Sequence, residues 1–190
     1  MNTPGHYILN LALLGKTITP KNNLEIALGA VLPDVPIFIF YFVAKFIYRM
    51  PEGKIWSEAY YEPFWQNLVA LFHSIPLALI GAAICYGFNW KPGMILFISM
   101  VCHSLLDLPV HNDDAHRHFF PLSNYRFISP FSYWDPNHYG SIVAFIEMAL
   151  VIAVNPIAWI LLNSPWTRGI VIIIDLFYLL GYYRFYLAAG

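Results

Sequence analysis

Five long apolar runs leave this chain few folds to choose from. They cover about 24–48, 65–89, 92–110, 140–163 and 167–188. Each is long enough to cross a bilayer core as an α-helix, which takes ~20 mainly apolar residues. Such a segment must satisfy its own backbone hydrogen bonds, so a helix is the natural solution. The composition agrees: 59% of residues are hydrophobic and 11% are charged, against ~25% charged in a soluble domain. The 190 residues therefore predict one all-α domain, 1–190, a multi-pass membrane helical bundle of about five transmembrane helices.

A sixth apolar stretch, about 4–15, is too short to span. Thr3 can N-cap it and Pro4 suits its first turn. It predicts a re-entrant or interfacial N-terminal helix. Polar links fall at 49–63 and 111–139. Calling the face reached after the first run side B, six basic residues lie toward B: Lys45, Arg49, Lys54, Arg117, Arg126 and Arg184. Four lie toward A: Lys16, Lys21, Lys91 and Arg168. That small excess favours a cytoplasmic B side. A net charge of −1 shows no nucleic-acid footprint. Cys85 and Cys102 sit in apolar runs and read as reduced core residues.

The chemistry is concentrated in residues 103–118, which hold four of the seven histidines and three aspartates. Ionisable groups inside a membrane segment are costly and usually functional. Helical rise, ~1.5 Å per residue, sets their depth. Asp34 falls ~15 Å from side A, His73 ~12 Å from side B, and His103 ~17 Å from side A. Asp107 lies one turn beyond His103 on the same face. All four reach a common depth, with Glu147 of the fourth run near Asp107. His103 and Asp107 can ligate one ion, or act as a ligand and the carboxylate that orients it. The alternative is an isolated His–Asp hydrogen bond between helices.

Prolines accompany two of these residues. Leu32-Pro33-Asp34-Val35-Pro36 interrupts the first run, and a break at such depth survives only where protein or a cavity satisfies the backbone. Asp34 reads as a metal ligand on an irregular turn, as an N-cap of the following half-helix, or as both. His73-Ser74-Ile75-Pro76 repeats the pattern in the second run. His6 reaches the site if the short helix is re-entrant and lies at the surface if it is not. His111, Asp113 and Asp114 stand at the membrane boundary as candidates for proton transfer. His116 and His118 read as solvated loop residues. Arg126 reads as a clamp for phosphate or carboxylate, or as an ion-pair partner of an aspartate. Phe131 to Pro136 has the aromatics of an interfacial belt. Asp175 has no evident partner.

Together these motifs resemble a bacterial family of small membrane-bound metal-dependent hydrolases, itself loosely similar to zinc-dependent phospholipase C. The resembling residues are Thr3-Pro4-x-His6, Gly29-x-x-x-Pro33-Asp34, His73-Ser74 and His103-Ser104-x-x-Asp107-x-x-x-His111-x-Asp113-Asp114. The loop Phe120-Pro121, Arg126-Phe127, Ser129-Pro130 and Ser132 to Pro136 looks like a subgroup signature. The resemblance implies that His6, Asp34, His73, His103 and Asp107 line a metal site. One departure is Pro36, where the wider family often has a second acid.

The leading expectation is therefore hydrolysis of a lipid-linked or membrane-accessible ester or phosphodiester in the bacterial cytoplasmic membrane. Imidazole and carboxylate ligands suit Zn first, with Mn or Fe as alternatives. A membrane lipid or lipid-linked molecule would be the substrate. No Gly-x-Ser-x-Gly elbow, P-loop or dinucleotide motif is present. A metal or proton transporter is the alternative class, although five spans without a repeat fit poorly with the inverted-repeat plan unless a homo-oligomer restores a pathway. A scaffold held by His–Asp pairs is the third.

Overall fold

The computed structural model describes residues 1–15 and 23–188. Among these residues it is all-helical, with nine α-helices and no strand. Helix α1 is Thr3–Leu14 and α2 is Asn23–Val31. A 3-10 turn, Leu32–Asp34, joins α2 to α3, Val35–Phe42. The short α4, Glu52–Ser57, precedes α5, Pro63–Phe72, and α6, Ile75–Gly87. Helix α7 is Lys91–Asp107, α8 is Gly140–Leu161 and α9 is Pro165–Tyr182.

Four helical segments are long and apolar enough to cross a membrane: Asn23–Ile47, Lys91–Val110, Gly140–Leu161 and Pro165–Leu187. The pair α5 and α6, bent by 42°, makes a fifth if counted as one span. Both interruptions fall at the expected prolines. Pro33 and Pro36 cannot donate backbone hydrogen bonds, so regular winding fails where they stand. In the second break Ser74 caps α6, its Oγ accepting from Leu77 N at 3.1 Å. The His73 carbonyl accepts from Ser104 Oγ at 2.9 Å. Each break is thus satisfied by neighbouring protein, as a low-dielectric setting requires.

Helix α7 is central, packing on α2, α6 and α1. Its approach to α2 depends on Gly29, where an added Cβ would lie 2.2 Å from the Leu96 carbonyl oxygen. A polar staple crosses the same contact: Asn10 Nδ2 donates to Ser99, and Ser99 Oγ donates to the Ile26 carbonyl at 2.7 Å. Helix α1 lies inside the bundle against α2, α7 and α8, with Gly5, His6, Ile8, Leu9, Asn10 and Leu11 buried. That burial places His6 inside the bundle rather than at its surface. Thr3 is its first residue rather than its N-cap, which is Asn2. Lys16 and Lys21, counted toward side A, lie outside the described residues.

Two apolar clusters flank the polar residues. One gathers Ile8, Leu11, Ile26, Ile95, Val151 and Ile174 from α1, α2, α7, α8 and α9. The other gathers Phe40, Ala44, Ile55, Tyr60 and Val69 around α3, α4 and α5. Asp34 sits between Ile26 and Phe40 along the same broken span. The outer faces of α8 and α9 remain apolar, with Ile146, Leu150, Ile173 and Leu180 half or more exposed, a surface suited to lipid rather than water.

Candidate metal centre

The two breaks and the end of α7 bring Asp34, His73, His103 and Asp107 together. Asp34 occupies the N-cap position of α3, but its side chain makes no capping bond. It turns inward, accepting from Thr3 Oγ1 at 2.5 Å, so the N-cap reading is set aside. His103 Nδ1 lies 2.7 Å from the Ala30 carbonyl oxygen, and His73 Nδ1 lies 3.0 Å from that of Val69. A carbonyl accepts only, so both Nδ1 atoms carry protons and donate. In a neutral ring this leaves Nε2 as a bare lone pair.

Those lone pairs face carboxylates. His103 Nε2 lies 3.1 Å from Asp107 Oδ2 and 3.6 Å from Asp34 Oδ1. His73 Nε2 lies 3.5 Å from Asp34 Oδ1 and 3.8 Å from Asp107 Oδ2. Both Nε2 atoms are buried without a hydrogen-bond partner. Acceptor facing acceptor is repulsive, so a positive charge belongs between them, carried by imidazolium or by a cation. The backbone lock on Nδ1 is the arrangement that orients a metal-ligating histidine.

His6 completes the floor. It is fully buried, stacks on His103 with ring centroids 3.6 Å apart, and its Nε2 lies 2.9 Å from Asp107 Oδ1. Two sets of three residues place one ligand atom each within 4.8 Å of one another: His6, Asp34 and His103, and His73, Asp107 and His116. The donors are nitrogen and oxygen without thiolate, a set compatible with Zn, Mn or Fe. The orphaned nitrogens and the carboxylates opposite them fit a divalent cation.

His116 belongs to this cluster, which overturns its reading as a solvated loop residue. It is 5% exposed and its ring stands 4.1 Å from that of His73. His118, also read as solvated, is 2% exposed, and neither ring nitrogen has a hydrogen-bond partner. Their segment has no regular secondary structure, and burial alternates along it, with His116 and His118 inward and Arg117 between them half-buried. Burial holds both imidazoles well below the ordinary histidine range, His118 at about 3. Both are neutral near pH 7.

The boundary residues divide. His111 is buried, with Nε2 3.1 Å from Asp107 Oδ1 and Nδ1 2.9 Å from Asp114 Oδ2. The Met1 nitrogen lies 2.7 Å from the same Nε2 and 2.8 Å from Asp107 Oδ1. Burial pushes the Asp114 carboxyl up, but the bond from His111 outweighs it and holds the group low. Asp113 is exposed, accepts from the Asp114 amide and lines the cavity over the cluster. Above the cluster opens a cavity of about 620 Å³, with Asp34, His111, His116 and Asp114 at its polar end and Tyr41, Tyr60 and Tyr133 among its walls.

Arg126 and Glu147 are not brought to the cluster, and Asp175 has its partner elsewhere. Arg126 donates to Gln66 Oε1 at 2.9 Å and does not line the cavity, so the clamp has no target here. Glu147 anchors the chain start instead, Oε1 accepting from Asn2 N, Asn2 Nδ2 and Tyr178 OH. Asp175 accepts from Asn155 Nδ2 at 2.5 Å, a bond between α8 and α9. Compared with protein-family models, curated proteins and solved structures, the chain matches none.

Proposed function

We propose that this protein is a membrane-embedded, metal-dependent hydrolase acting on a lipid-linked or membrane-accessible ester or phosphoester. One observation carries the reading. Two imidazoles, locked by backbone carbonyls, direct unpartnered nitrogens at two carboxylates beneath a cavity. His6, Asp34, His73, His103 and Asp107 would hold the cation, with His116 beside them. A bound divalent ion polarises an ester oxygen and makes a coordinated water acidic. Asp114, kept ionised by His111, stands at the cavity to accept a proton. His111 relays charge toward Asp107, and Tyr133 packs over the His111 ring with centroids 5.0 Å apart. The motif resemblance supports the same reading, including a bacterial inner-membrane setting with several spans.

The test begins with metal content. Protein purified in detergent without added metal is measured by elemental analysis beside His103→Ala and Asp107→Ala. The proposal expects bound metal in the parent and loss in both variants. Unchanged content in both removes the site. Metal-loaded protein is then assayed for ester hydrolysis on a lipid panel and for ion flux in liposomes. Flux without hydrolysis would replace the enzyme reading with transport.

A further inference from the structure

The 111–139 link carries a second feature that the metal cluster does not use. Its irregular stretch points large apolar side chains outward: Leu122 is 80% exposed, Ile128 65% and Tyr125 59%. Phe131 and Trp134 are nearly half exposed. The stretch is held in place, so these side chains are presented rather than loose. Ser129 N donates to the His111 carbonyl, Ser129 Oγ to the Pro109 carbonyl and Tyr133 N to the Val110 carbonyl. Arg117 bonds Asn124 and Asn67.

Physical constraints narrow what covers this patch. Irregular backbone exposed to lipid is excluded from the hydrocarbon core, where its amides would go unsatisfied. Several large apolar side chains exposed along one short stretch are unfavourable in water. The link runs from the end of Lys91–Val110 to the start of Gly140–Leu161, both apolar enough to span. It therefore lies at their common membrane end, where Trp and Tyr are favoured. The cavity over the candidate metal centre is walled partly by Tyr133 and Trp134 of this link and partly by Ile37 and Phe38 of α3. Phe38 is itself half exposed on the outside of α3.

We propose that the Leu122–Trp134 stretch sits in the headgroup layer of the bilayer, with Leu122 and Ile128 inserted into lipid. It forms the threshold across which an amphiphile slides sideways from that leaflet into the cavity, between the link and α3. The occupant of the patch is leaflet lipid, not a protein partner. The insertion stands independently; the threshold role rests on the hydrolase reading above.

Two measurements test the two halves. Nitroxides are placed by Leu122→Cys and Ile128→Cys, on a background with Cys85→Ala and Cys102→Ala, in proteoliposomes. Gly53→Cys, at an exposed position with open space around it, serves as the aqueous control. Labels at 122 and 128 should collide preferentially with oxygen, and the label at 53 with a water-soluble nickel chelate. Equal chelate access at all three positions overturns insertion. Protection from both reagents with label–label broadening overturns it in favour of a second copy of the chain.

For the threshold, Leu122→Glu/Ile128→Glu and a milder Leu122→Ser/Ile128→Ser pair are assayed on esters sharing one head. Hydrolysis of a long-chain ester in vesicles should fall at least ~10-fold, since two apolar anchors are lost. Hydrolysis of a short-chain ester in solution, and metal content, should hold. Equal loss on both esters with metal retained overturns the threshold. If the parent hydrolyses no ester, the hydrolase reading fails and the threshold with it, while the nitroxide result still decides insertion.

Discussion

Gly29→Ala tests whether helix packing sets the geometry of the candidate metal centre. The added Cβ would lie 2.2 Å from the Leu96 carbonyl oxygen and 2.6 Å from Ser99 Cβ. A carbon and a carbonyl oxygen settle no closer than ~3.3 Å, so α2 and α7 must part by roughly 1 Å. Ala30, the next residue, supplies the carbonyl that His103 Nδ1 meets at 2.7 Å. Adding ~1 Å takes that contact past ~3.2 Å, the end of the useful N–H···O range. Overpacking costs ~1–3 kcal/mol, and losing the hydrogen bond that orients a ligating histidine lowers metal affinity ~10–100-fold. The assay is a chelator competition titration with Zn, run beside thermal unfolding in detergent. Gly181→Ala, with nothing within 4 Å of the added carbon, is the control. A Gly29→Ala protein that loses stability but keeps parental affinity would refute the coupling. One that keeps both would refute the steric argument as well.

Three further outcomes follow from the same geometry. His116→Ala should lower metal affinity or stoichiometry in the same titration, whereas His138→Ala, whose ring pairs with Asp135 at 2.6 Å, should change neither. Glu147→Leu should reduce thermal stability more than Tyr178→Phe, because it strands the three donors that converge on Glu147 Oε1, at ~1–3 kcal/mol per buried orphan. His118 is held at about 3 in the fold, while its unfolded value is near 6.5. The unfolded chain therefore binds the extra proton first on acidification. Stability should fall by up to ~1.4 kcal/mol per pH unit from about 6.5 downward to about 3. His118→Leu should flatten that slope in chemical denaturation measured across pH.

The spans were legible because ~20 apolar residues in a row have few alternatives to a membrane helix. The joining of Asp34, His73, His103 and Asp107 was legible for a related reason: rise per residue converts position into depth, and depth is shared across antiparallel helices. Depth does not say which way a side chain points. Glu147 lies at a suitable level, yet faces Asn2 and Tyr178. Arg126 has suitable chemistry, yet Gln66 takes it. His116 and His118 are harder to read, because an irregular link can be buried as well as solvated. Helical periodicity does not apply there, but the period of two in an extended chain does. His116-Arg117-His118 is that alternation, with two imidazoles to the inside.

The helix breaks and the cluster are best understood as one arrangement. A helix carbonyl already engaged in its own ladder keeps a second lone pair that an imidazole can use. In the turn before the first break Ala30 presents its carbonyl to His103, and in the turn before the second the Val69 carbonyl accepts from both His73 N and His73 Nδ1. The breaks themselves turn Asp34 inward and give Ser104 the His73 carbonyl. The two carbonyls on Nδ1 select, in a neutral ring, the tautomer that leaves both Nε2 atoms facing the carboxylates. A scaffold of simple His–Asp pairs needs an Nε2–H on each ring, which with the carbonyls on Nδ1 only the imidazolium form supplies. Two imidazole nitrogens and two carboxylates thus face one another as acceptors, an electronegative setting that a cation neutralises.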